Sequence, residues 1–158
     1  MIRLYGDTSS KKEVLKISHW MANEILGPDL SKKLSLSIIW KDLFGTPDLT
    51  AIRKDNRLFG YCMRLDTNKF RFVISSFLNN TTIKACKTIA HEMKHVQQYM
   101  LGDLYEYPVI PYVRWKGRRY ADNRNAATTK KEYNKLPWEK DARHAEILFK
   151  KYLRHHPR

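Results

Sequence analysis

The sequence predicts an α+β domain: a small antiparallel or mixed sheet packed against one central helix and one C-terminal helix. Three observations predict this. Residues 81–101 carry apolar side chains at helical spacing. Residues 57–77 read as two alternating segments around a turn. Residues 137–153 line Trp138, Ala142, Ala145, Phe149 and Tyr152 along one helical face. With 158 residues, 42% of them hydrophobic, the chain has material for one core, so one domain is expected over 1–158.

The elements follow in order. Thr8 to Ser10 offer caps for a helix from Lys11, with Val14, Ile17, Met21 and Ile25 inward, and Gly27-Pro28 ends it. Residues 34–40 alternate as a short strand. RLFGYCMRL (57–65) and FRFVISSF (70–77) form an antiparallel hairpin about the turn Asp66 to Lys69. Asn79, Asn80 and Thr81 supply caps for the helix at 81–101, and Gly102 stops it. Residues 103–136, with Pro108 and Pro111, read as a basic and largely irregular segment. Pro137 suits the first turn of a final helix that runs to about Leu153.

The formal net charge is +14, and residues 114–158 hold 14 basic against 5 acidic side chains. That field favours acidic partners, whether nucleic acid, an acidic protein or an anionic surface, although lysine also serves solubility alone. Arg114, Lys116, Arg118, Arg119, Lys130 and Lys131 are candidate nucleic-acid contacts, with Trp115 and Tyr120 interleaved as candidate stacking rings. Cys62 and Cys86 form no CxxC pair and read as free thiols. No apolar run is long enough to span a membrane, and MIRLYGDTSSKKE is not a signal peptide. A cytoplasmic or virion-associated protein is expected.

The chemistry is concentrated in HEMKH, residues 91–95. On a helix His91 and His95 stand one turn apart and about 40° around the axis, so both imidazoles can grip one ion. Glu92 points beside them, where it can take a proton from an attacking water. The plainer alternative is a hydrogen-bonded histidine pair at a helix surface, with Glu92 paired to a lysine.

A catalytic zinc wants three protein ligands and an open position. Leu101 stands where an HExxHxxGxxH site would need its third histidine, so that ligand comes from elsewhere. Glu139 and Glu146 border the apolar face of the last helix. Glu139 is favoured: it lies in the first turn, where the helix dipole favours a carboxylate, and Ala142 leaves room for close approach. Glu146 is the rival ligand, or a partner that orients a histidine. Two histidines and a carboxylate also suit iron, but the adjacent Glu92 points to Zn²⁺.

HEMKH followed by PWEKDARHAEILF resembles the compact gluzincin-type zinc metallopeptidases of small bacterial and phage proteins. The resemblance spans about 57–101 and 137–153. It implies a zincin-like fold, His91, His95 and Glu139 as zinc ligands, and Glu92 as general base for peptide hydrolysis. It also implies that the strand within RFVISSF is the edge that holds extended substrate polypeptide. Tyr120, Tyr133 and His144 are candidates for stabilising the oxyanion. SprT-like proteases share HExxH and a basic surface but take a third histidine, for which His144 is the one candidate. The alternative is a virion or nucleic-acid-associated binding protein that keeps the fold without peptidase activity.

Overall fold

A computed structural model describes residues 1–6, 10–41, 59–76, 78–110, 112–121 and 130–157. It is α+β, as expected. Strand β1 (Ile2–Tyr5) leads through helix α1 (Lys11–Lys33) to β2 (Ser35–Lys41), which pairs with it in parallel. Then come β3 (Gly60–Asp66), β4 (Lys69–Ser75) and helix α2 (Thr82–Met100). The first sheet has the order β1-β2-β4-β3 and is mixed: β4 runs parallel to β2 and antiparallel to β3.

The core lies on one face of this sheet. Leu36 and Ile38 of β2 and Phe70, Phe72 and Ile74 of β4 point into it, where Ile17 and Met21 of α1 and Ile89, Met93 and Val96 of α2 meet them. The strands owe their alternation to this: one side chain in two faces the helices. Helix α2 forms because its inward face is apolar, and Thr81 caps it by accepting from Lys84 N. At Gly60 an added Cβ would lie 3.1 Å from Thr88 Cγ2 and 3.1 Å from Val73 O, so the glycine lets β3 press close on α2.

Four expectations need correction. Gly27-Pro28 kinks the first helix rather than ending it. Gly27 leaves helical geometry at φ 77, Pro28 restarts the helix, and α1 continues to Lys33. Its N-cap is Ser10, which makes no side-chain capping bond, and Thr8 lies outside the described residues. The strand within RFVISSF is central, because β2 pairs with its second side; the edges are β1 and, in the hairpin, β3. The last helix is two, α4 (Pro137–Ala145) and α5 (Leu148–His155), after a one-turn helix α3 (Lys130–Tyr133).

The segment read as irregular contains an antiparallel sheet, β5 (Leu104–Glu106), β6 (Tyr112–Trp115) and β7 (Arg118–Ala121). Lys116 and Gly117 turn β6 into β7 with φ 46 and 78, the two positive values that a type I′ hairpin turn requires. The inner face of this sheet builds a second core of Leu104, Val113 and Trp115 with Leu136 and Trp138. Tyr99 of α2 touches both cores, so α2 is the spine that joins the two sheets.

Candidate metal centre

Helix α2 presents His91 and His95 from its side, and α4 brings Glu139 across to them. Trp138, 1% exposed, is seated in the second core, which fixes the first turn of α4. Pro137 starts that turn, and Ala142, fully buried, lets α4 approach α2 closely. Glu139 is then carried inward and is 2% exposed. That is deeper than the border position its helical angle suggested.

The three side chains converge. His91 Nε2 lies 3.2 Å from Glu139 Oε2, and His95 Nε2 lies 3.3 Å from Glu139 Oε1. The imidazole centroids are 5.0 Å apart. One ligand atom from each of the three residues falls within 4.8 Å of the others. Tetrahedral zinc with bonds of about 2.0–2.1 Å has edges of about 3.4 Å, and the two histidine–Glu139 separations are close to that length.

The other histidine nitrogens are held from behind. His91 Nδ1–H donates to Glu146 Oε1 at 3.0 Å. His95 Nδ1 faces Gln98 Oε1 at 2.8 Å. Gln98 Nε2 donates to Trp138 O at 3.0 Å and to Asp141 Oδ2 at 2.9 Å. A carbonyl and a carboxylate only accept, so the amide nitrogen must face them and the amide oxygen must face His95. His95 therefore carries its proton on Nδ1 and leaves Nε2 for the centre. This is how outer partners set a ligating histidine's tautomer. Tyr133 donates its hydroxyl to Glu139 Oε1 at 2.5 Å, which orients the carboxylate.

The electrostatics are those of a crowded, charge-dense cluster. Burial lowers the proton affinity of His91, but hydrogen bonds to Glu139 and Glu146 outweigh it and raise its pKa to about 10. His95 is likewise opposed by burial and carried upward by Glu139 and Glu92. Burial pushes Glu139 up, yet His95 and His91 hold it well below the usual carboxylate range. A divalent cation at the centre would take the place of the shared protons.

Glu92 stands apart. It is 5% exposed, and no hydrogen bond or ion pair joins it to another described residue. Burial raises its pKa; His91 and His95 pull it back, and Glu139 and Glu146 push it further up. The Cys62 thiol on β3 is raised by burial and then by Glu92 and Glu106. A carboxyl with raised proton affinity beside a candidate metal centre has the character of a general base.

The remaining candidates divide. Tyr133 belongs to the cluster through Glu139. Tyr120 does not: its ring packs on Trp138 at 5.9 Å, inside the second core. His144 is exposed on the outer side of α4, so it is neither a third ligand nor an oxyanion donor here. Glu146 holds His91 from behind. Gln98 was not anticipated, although a polar residue one turn beyond His95 on the buried side of α2 was the signal. Arg114, Lys116, Arg118, Arg119 and Lys131 are exposed, and the Lys130 side chain lies outside the described residues. Trp115 is buried with Trp138 and cannot stack on a base.

Comparison with family models, curated proteins and solved structures finds no match. The site's own geometry therefore carries the functional reading. Among the described residues no helix is long and apolar enough to cross a membrane.

Proposed function

We propose that the chain is a zinc-dependent peptidase with a compact zincin-like arrangement. The observation that carries this reading is the Glu139 carboxylate. It faces Nε2 of both His91 and His95, while Gln98 and Glu146 hold the two Nδ1 atoms. His91, His95 and Glu139 would hold the ion. Bound zinc would supply a Lewis acid for a carbonyl and acidify water at neutral pH.

The chain's own residues do the rest. Glu92, raised by burial, accepts the proton of the attacking water and passes it to the leaving amine. Tyr133 and Gln98 keep the carboxylate and His95 in place, so little reorganisation accompanies the reaction. Substrate backbone adds along β3, whose second edge has no partner strand among the described residues. Met63 and Leu65, about 40% exposed on that strand, offer apolar contacts to substrate side chains.

The test is cleavage of a mixed peptide library by zinc-loaded protein beside Glu92→Gln. Glu92→Gln should keep its zinc and lose cleavage by about 10²–10⁴-fold. Equal cleavage by both would remove Glu92 from the mechanism. No cleavage by zinc-loaded wild type would favour a binding protein that keeps the metal centre.

A further inference from the structure

The outward face of the β5-β6-β7 sheet carries tyrosine and arginine side chains. Its residues fall in two adjacent rows. Tyr105, Arg114 and Arg119 lie opposite one another across all three strands. One step along, Tyr107 N donates to Tyr112 O, which sets those two tyrosines side by side. The rows lie ~6.7 Å apart, two residues along a strand.

The five side chains form a continuous platform. The Arg114 guanidinium lies 5.2 Å from the Tyr105 ring centroid, and that of Arg119 5.2 Å from Tyr112 and 5.8 Å from Tyr107. Tyr105 and Tyr107 meet edge to face at 5.1 Å. No acidic residue stands in either row. Lys116 and Arg118, exposed at the hairpin end, lie over the Trp115 and Tyr120 rings of the opposite face. The opposite face supplies Trp115 and Val113 to the second core, so the platform is backed by rigid packing.

We propose that this face binds single-stranded nucleic acid. Planar rings and guanidinium groups accept flat bases, and the cations meet phosphates. An acidic peptide would use the charge but leave three tyrosine faces without a role. A duplex hides its bases inside the stack and would meet only the charge. This inference stands on the platform alone and does not depend on the peptidase reading.

The experiment is fluorescence anisotropy with a labelled single strand of about a dozen nucleotides, the matching duplex and polyglutamate. Wild type should bind the single strand at least about ten-fold tighter than either competitor. Arg114→Ala with Arg119→Ala should lower the slope of log K against log salt by about 1.4, two phosphates' worth. Tyr107→Val with Tyr112→Val removes the rings but puts strand-favouring valines in their place and should weaken binding about ten-fold, while Tyr112→Phe retains it. Circular dichroism and zinc content should be unchanged in each variant. Equal binding of duplex, or equal binding of polyglutamate, would overturn the proposal. So would an equal loss in Lys32→Ala with Lys33→Ala, which removes the same charge from α1, outside the platform.

Discussion

Gln98 Oε1 lies 2.8 Å from His95 Nδ1, and the same amide donates to Trp138 O and Asp141 of the facing helix. One buried side chain thus sets the tautomer of one candidate ligand and ties its helix to the helix that carries another. Gln98 is 1% exposed, so each of these bonds replaces water that cannot reach it.

Gln98→Leu should therefore weaken zinc binding without removing a ligand. Loss of an outer partner of this kind costs about 10–100-fold in affinity. Competition against a chromogenic chelator measures it. Gln98→Glu keeps the acceptor for His95 but loses the donor to Trp138 O, and it should fall between Leu and wild type. An affinity equal to wild type in Gln98→Leu would show that His95 needs no such support.

Trp138→Ala should couple stability to the metal centre. The side chain is 1% exposed and fills the second core beside Trp115 and Tyr120. Its removal should cost about 3–5 kcal/mol and release the first turn of α4, where Glu139 sits. Urea unfolding with and without zinc should show both a lower midpoint and a smaller stabilisation by zinc. A lower midpoint with full zinc stabilisation would mean that Glu139 is placed without the tryptophan.

Cys86 gives a pH dependence. It is fully buried on α2, and burial first, then Glu13, pushes its thiol up to about 12. The folded value is raised, so its contribution is complete below the ordinary thiol value of about 8.5–9. As pH rises from there toward 12, the unfolded chain releases the proton and the folded chain does not, so stability falls. The loss should be on the order of 2 kcal/mol by pH 10.5. Because other groups titrate there too, the measurement is the difference between wild type and Cys86→Ala in urea midpoints at pH 8 and 10.5. Parallel behaviour of the two proteins would show that the thiol is not the cause.

Much of the site was legible because helical spacing alone brings His91, Glu92 and His95 together. Glu139 could be read because Pro137, Trp138 and Ala142 mark where its helix starts and which face is buried. What lay beyond the sequence was pairing. Nothing in RFVISSF tells that β2 lies parallel against it, so the edge was assigned to the wrong strand of the hairpin. The sheet at 104–121 was hidden because its outward positions are arginine and tyrosine rather than small polar residues. Lys116-Gly117 was the trace it left. Gln98 was missed because a glutamine on a helix usually faces water, and only the approach of α4 gives it three partners.

His91, His95 and Glu139 are proposed to hold one zinc ion. Elemental analysis of protein purified without a metal-affinity tag tests it most directly, on wild type, His95→Ala, Glu139→Gln and Glu146→Gln. About one zinc per chain is expected in wild type. It should be lost in His95→Ala and Glu139→Gln, and retained with weaker affinity in Glu146→Gln. Wild type that stays free of metal after dialysis against zinc would mean that these residues form no zinc site. Zinc that survives in Glu139→Gln but is lost in Glu146→Gln would contradict Glu139 as a ligand.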